Sequence, residues 1–290
     1  MPPREISLAY SVDADDAFMF HALRGGRLET PGLTFTHRRA DTAALNRLAL
    51  EGAADVVAIS AGLYPSVADR YQLLPHGASV GRGFGPVVVA PQGMQPGALA
   101  GKRVGIPGLT TTAWMVLRLI EPRAVPVEIP IFPFGRIFDA VTSGEVDAAL
   151  LIHEGRLIYP ERGLKLVVDL GVWWRDNVGL PLPLGVNVIR RALGPALVAE
   201  VSGVLRRSIG WAIQHRDELI ATLAAEDRGE PALANPALID TYLGLYANAD
   251  TAEMPEDARR GVEALFTRAR AAGLLPAPVT AEAGAIDWAP

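Results

Sequence analysis

The chain of 290 residues contains no cysteine, which excludes a disulfide framework, a thiolate nucleophile and any Cys-ligated zinc or iron–sulfur centre. A basic surplus is missing too. Lys and Arg number 27 against 32 Asp and Glu, a formal charge of −5, so nothing is in excess to neutralise a phosphate backbone, and nucleic acid is not an expected partner. Long apolar runs are also absent. The most apolar stretches, Gly85 to Ala90 and Ala148 to Ile152, are far shorter than the roughly 18 residues a membrane span needs, and no membrane insertion is expected. The amino terminus, MPPREISLAYSVDADD, carries no charged leader ahead of an apolar core, which predicts a cytoplasmic protein. What the chain does have is 50% hydrophobic and 20% charged residues, the balance of a globular protein. At roughly 100 to 200 residues per domain, its length suits two domains or one large α/β body.

Short β-branched runs alternate with stretches of helical period, as in α/β units around a largely parallel sheet. Strands are predicted at Ile6 to Tyr10, Asp55 to Ile59 and Gly85 to Ala90, followed by a Gly- and Pro-rich crossover, APQGMQPGALAGKR. A second set begins at Arg103 to Ile106, with a turn at Pro107-Gly108 and a helix over Thr111 to Ile120. It continues with strands at Val127 to Ile129 and Asp147 to Ile152, and Gly179 to Ile189 reads as the return crossover. From Gly194 the pattern is helical, with apolar residues at Leu197, Val201, Val204, Leu205 and Ile209. The expected architecture is α/β and two-lobed, with residues 1–92 and 190–290 forming one lobe and 93–189 the other, and the ligand cleft between them. A single doubly wound sheet has the same alternation.

Of the five histidines, His153 has the most telling setting. It follows AALLI directly, at the carboxyl end of a predicted strand, where open α/β sheets place their ligands. Imidazole is also the side chain most easily poised for proton transfer near neutrality. A histidine satisfied by neighbouring backbone would read the same way, and the helical zinc-protease spacing is not met. In GIPGLTTTAW the strand turns at Pro107-Gly108 into a helix opening with Thr110, Thr111 and Thr112, an end that favours a carboxylate or uses one Thr as its cap. Ser60 holds the matching place in the first lobe, again as cap or ligand contact. GRGFGP (81–86) precedes a strand and does not open a helix, so it reads as a tight turn with close backbone approach. Asp13, Asp15 and Asp16 lack the Gly and later Glu of a calcium loop and read as capping and solvated residues. One ring of Trp173-Trp174 is a candidate to line the cleft, or both pack in the core.

Several ordered stretches together resemble one family, the 1,4-dihydroxy-6-naphthoate synthases of the futalosine route to menaquinone. They are LNRLALEG (45–52), GRGFGPVVVA (81–90), PGLTTTA (107–113), GEVDAALLIHEGRLIYPERGL (144–164) and VVDLGVWWRDNVGLPLPLG (167–185). The resemblance implies a periplasmic-binding-protein type II fold used as an enzyme. The implied reaction is a lyase step that converts cyclic dehypoxanthinyl futalosine to 1,4-dihydroxy-6-naphthoate and releases dihydroxyacetone, with no metal or organic cofactor. It also implies that His153 is the general base and that Thr111, Thr112 and Ser60 contact a small carboxylate-bearing substrate.

The chain departs from that family at two places. Members read SPCPNDTFIF after the first strand, whereas this chain reads SVDADDAFMF (11–20); the retained Ser11 and Asp16 are expected to face the substrate. The family lysine two residues before the serine is Ala58, and the following Tyr is Ala61. Either Arg82 or another cation takes the place of that lysine, or the ligand differs. Beside the lyase stand a non-catalytic cytosolic binder on the same clamshell, a paralogue with a changed carboxylate ligand, and the chorismate dehydratase branch. The IHE and GLPLPLG blocks favour the synthase. Nothing in the sequence fixes an oligomeric state.

Overall fold

The computed structural model describes residues 2–276 and 286–290. Positions 277–285 of the expected first lobe lie outside the described residues.

Eleven strands form two sheets among those residues. They are β1 (Arg4–Ser11), β2 (Leu33–Ala40), β3 (Val56–Ser60), β4 (Tyr71–Leu73), β5 (Ser79–Gly81), β6 (Val87–Ala90), β7 (Arg103–Ile106), β8 (Val125–Glu128), β9 (Ala148–Leu151), β10 (Lys165–Asp169) and β11 (Leu182–Arg190). The first sheet runs β2-β1-β3-β11-β4, with β5 also paired to β11; the second runs β10-β6-β9-β7-β8. The apolar runs become the central strands: all five residues of β3 and all four of β6 and β9 are buried, as expected of strands covered on both faces.

Each sheet contains one strand delivered from across the molecule, and these strands move the expected lobe boundaries. Val87–Ala90, expected to end the first lobe, lies in the second sheet, antiparallel to β9 and β10. Leu182–Arg190, expected to end the second lobe, lies in the first sheet, antiparallel to β3. The first crossover is therefore GRGFGP and not the later APQGMQPG segment, and glycine is what lets the chain through. A Cβ on Gly85 would come within 2.8 Å of the Gly171 nitrogen, and one on Gly171 within 2.0 Å of the Phe84 carbonyl carbon. Gly179, in the left-handed region at φ 74°, ends the helix Leu170–Val178 and begins the way back.

The long helix Pro195–Gln214 buries Val201, Val204, Leu205 and Ile209 against Ile6, Leu8 and Val56 of the first sheet. On the other face Val57, Ile59 and Val188 share a single core with Val88, Val104 and Leu150 of the second sheet, so apolar packing is continuous from lobe to lobe. Trp174 is fully buried in that core, its indole N–H donating to the Pro181 carbonyl at 3.2 Å, while Trp173 packs at its edge. No helix among the described residues is long and apolar enough to cross a membrane.

Candidate active site

A cavity open to solvent at its mouth lies between the two sheets, the setting in which small-molecule sites usually occur. Its walls include Ser11, Asp16, Ser60, Thr111, Thr112 and His153; six of the seven residues singled out from the sequence thus face one space. Arg82 does not line it. Its guanidinium is turned to the carboxylates of Asp250 and Asp257, with Nε donating to Asp250 Oδ2 at 2.6 Å and Nη1 to Asp257 Oδ2 at 2.7 Å. Two partnered carboxylates give that side chain no reason to leave. Trp173 and Trp174 are likewise absent from the walls. Ala58 is part of the lining, and among the described residues Arg156 is the one Lys or Arg there. Its Nη2 donates to Asp169 Oδ2 at 3.0 Å.

His153 follows β9 by two residues and is the one non-glycine residue with positive φ among those described, at 52°. This left-handed conformation is uncommon for a side chain with a Cβ, though less so for His, and such residues gather at functional sites. The twist aims the ring into the cavity. Its Nδ1 is ion-paired with Asp13 Oδ2, and its Nε2 lies 3.0 Å from Thr42 Oγ1, both partners reaching from the first lobe. Burial on its own lowers the basicity of the imidazole, but the charge and hydrogen bond of Asp13, with Glu154 and Asp16 beyond, outweigh it and hold His153 above the ordinary histidine value.

The three aspartates, which by spacing alone read as capping and solvated, are instead buried against the cavity, where the resemblance implied a place for Asp16. Asp13 stands at the cap position of the helix Ala14–Met19 but makes no capping hydrogen bond; its side chain goes to His153. Asp15 Oδ1 accepts from Tyr242 Oη at 3.1 Å and Asp15 Oδ2 from Ser79 Oγ at 2.5 Å. Asp16 Oδ2 accepts from the Ser11 N–H at 2.6 Å. Three carboxylates this close do not all ionise. Burial opposes ionisation of Asp13 most, yet His153 holds that carboxyl well below the usual range. Burial and the Asp13 charge raise Asp15 well above it and push Asp16 up to about 7. Asp13, Asp15 and His153 place one donor atom each within 4.8 Å of one another, a spacing that a divalent cation can bridge. Tyr242, Ser79 and the imidazole partner three of the four Asp13 and Asp15 carboxylate oxygens, and Asp13 Oδ1 has no hydrogen-bond partner.

The opposite wall is the amino end of the helix Thr112–Ile120. Thr111 Oγ1 accepts from the Trp114 N–H at 3.2 Å and donates to the Gly108 carbonyl at 2.8 Å. Thr112 Oγ1 accepts from the Gly62 N–H at 3.0 Å and donates to the Leu184 carbonyl at 2.8 Å. Both hydroxyls thus hold the fold, and the groups left to an anion are the first backbone N–H groups of the helix, which have no intrahelical acceptor. Ser60 is fixed by Asn46, whose Oδ1 accepts from the Ser60 N–H at 3.0 Å and whose Nδ2 donates to Ser60 Oγ at 3.2 Å. This leaves the hydroxyl hydrogen of Ser60 available to the cavity.

Sequence reasoning missed Asp13 and Asp15 as site residues, together with Thr42, Arg156, Tyr242 and Tyr246. The aspartates stood in plain view directly after a strand end. The tyrosines come from the helix Pro236–Tyr246, far along the chain and without a local signal.

A family model described as menaquinone biosynthesis matches residues 6–271. A 1,4-dihydroxy-6-naphtoate synthase of Thermus thermophilus is 40% identical over 274 residues, covering 94% of this chain and 97% of that one. A solved structure of an Archaeoglobus fulgidus protein superposes with a TM-score of 0.84 at 41% identity, covering 93% of this chain and 98% of that one. The alkanesulfonate-binding protein of Xanthomonas axonopodis pv. citri superposes at 0.70 with 17% identity and 96% of each chain covered, which establishes a periplasmic-binding-protein-like fold. With a family match over almost the whole length and a synthase relative of this similarity, the chain belongs to the menaquinone-biosynthesis family.

Proposed function

We propose that this chain converts cyclic dehypoxanthinyl futalosine to 1,4-dihydroxy-6-naphthoate and dihydroxyacetone, as a cytoplasmic carbon–carbon lyase with His153 as its base. The observation that carries this reading is the placement of His153, buried at a strand end on the cavity wall, ion-paired through Nδ1 and with Nε2 beside the Thr42 hydroxyl of the same wall. Nε2 takes a proton from the substrate, and the electron pair left behind becomes part of the new ring as the carbon–carbon bond to the departing three-carbon unit breaks. The proton is then returned to that unit, so the step needs no oxidant or reductant, and aromatisation drives it. The N–H groups at the start of the helix Thr112–Ile120 suit the substrate carboxylate, with Arg156 and the Ser60 hydroxyl as further polar contacts on the wall. The match to a synthase over nearly the full chain favours turnover over ligand capture.

The test is incubation of the purified protein with cyclic dehypoxanthinyl futalosine and detection of 1,4-dihydroxy-6-naphthoate by mass spectrometry. Product formation lost in a folded His153→Ala variant supports the proposal. Saturable binding of the substrate with no product would replace it with a non-catalytic binder.

A further inference from the structure

The helix Ala14–Met19 is preceded by an aspartate whose usual task would be to accept the free N–H groups of its first turn. Asp13 does not perform it. The side chain instead crosses from the first lobe to the second and meets Nδ1 of His153. Both groups are buried, and Asp13 Oδ1 finds no donor of its own, so the imidazole is the main group that stabilises this carboxylate. A carboxylate on one ring nitrogen selects the tautomer with its proton there and leaves the other nitrogen basic. Here the other nitrogen is Nε2, beside Thr42 Oγ1.

We propose that Asp13 is a positioning residue for the reaction: it fixes the proton of His153 on Nδ1, locks the ring against the strained backbone at that residue, and so presents Nε2 to the substrate as the base. The proposal rests on the role given to His153 above. The carboxylate belongs to the SVDADD stretch in which this chain departs from the sequences it otherwise resembles. The other charged groups around the ring are accounted for. Asp15 and Asp16 come from the same segment, held by Tyr242, Ser79 and the Ser11 N–H. Glu154 is paired with Arg228, Arg156 with Asp169, and Arg39 with Glu226. Of these charged side chains, Asp13 alone is hydrogen-bonded to the imidazole.

The experiment is a nitrogen-15 NMR titration of His153 in the full-length protein, its signal assigned by loss in His153→Asn, alongside pH–rate profiles for wild type, Asp13→Asn and Asp13→Glu. The proposal expects an Nδ1–H tautomer in the wild type. In Asp13→Asn the His153 midpoint falls by about one to three pH units, and kcat drops about 100-fold or more with KM little changed. The acidic limb of the rate profile moves to lower pH in the same variant, and Asp13→Glu recovers part of the rate. A folded Asp13→Asn with wild-type midpoint and rate would overturn it. If that variant does not fold, an Nε2–H tautomer in the wild type overturns it equally well. The titration needs no turnover, so failure of the lyase assignment and failure of the Asp13 role are read separately.

Discussion

His153 can accept a proton only when Nε2 is unprotonated, and Asp13 and the neighbouring carboxylates hold the ring above the ordinary histidine value. The rate should therefore rise with pH through a midpoint above that value; a pH–rate profile flat from pH about 5 to 8 would remove His153 as the base. Replacing the ring with Asn or Ala should lower kcat by about 100- to 10,000-fold while the circular dichroism spectrum stays that of the wild type. Asp16 gives a second pH effect, on stability. Burial and the Asp13 charge raise its carboxyl to about 7, so the fold binds that proton more tightly than the unfolded chain does. The resulting stabilisation is complete below about pH 4 and is lost as pH rises through about 7. Asp16→Asn, whose amide oxygen can still accept from the Ser11 N–H, should flatten the thermal-unfolding midpoint over that window. His153, Ser60 and the threonines were legible because each sits at a strand end or helix start, a local and sequential feature. The roles of Asp13 and Asp15 were not, because an acid before a helix has the same local signature whether it caps the helix or crosses a cleft. Arg82 misled for a related reason: its partners Asp250 and Asp257 lie more than 160 residues away in sequence.

At the scale of elements, the helix Thr112–Ile120 separates two uses of a threonine that the sequence leaves open. Its Thr111 hydroxyl is a cap, so Thr111→Ala should cost about 1 kcal/mol of stability and Thr111→Ser almost none, as read by urea denaturation. Thr112→Val is the harsher change, because it leaves the buried Gly62 N–H without its acceptor; about 1–3 kcal/mol is expected. Strands were readable where burial is complete, as in β3, β6 and β9. β2 was missed because only Leu33 of it is buried and the rest alternates half-buried and exposed residues through Thr, His and Arg, as an edge strand paired to β1 does. β4 and β5 are three residues each, too short for any periodicity. The run of β6 was recognised as a strand and the segment of β11 as the return crossover, but which sheet each would join depends on where the chain crosses. That is set by the close contact at Gly85 and Gly171, a tertiary fact invisible to a window of neighbours.

Across the whole molecule, the two lobes are tied together at the residue next to the proposed base. Glu154 follows His153 in the second lobe and is fully buried. It accepts from the Ala14 N–H at 3.1 Å and pairs with Arg228, which also donates to the Leu233 carbonyl at 3.0 Å. The Ala14 N–H comes from the first lobe, while Arg228 lies in a segment that leads from the first-lobe helices to Leu233 in the core of the second sheet, so a substrate that enters by separation of the lobes must find the Ala14–Glu154 contact broken or bent. Removing one partner of a buried pair leaves the other charge stranded, and Arg228→Ala should cost about 3–5 kcal/mol. Replacing both, as in Arg228→Met with Glu154→Gln, removes the stranded charge and should recover most of that loss. The double variant also lacks the buried ion pair that holds Glu154 beside the Ala14 N–H, so if the pair holds the cleft shut, substrate association by stopped-flow should be faster and the radius of gyration without ligand larger than in the wild type. If stability recovers while both of these stay at the wild-type values, the pair serves the core alone, and lobe closure rests on the other contacts across the cleft, from Asp13 and Thr42 to His153 and from Asn46 to Thr110 with the Thr112 bridge at the opposite wall.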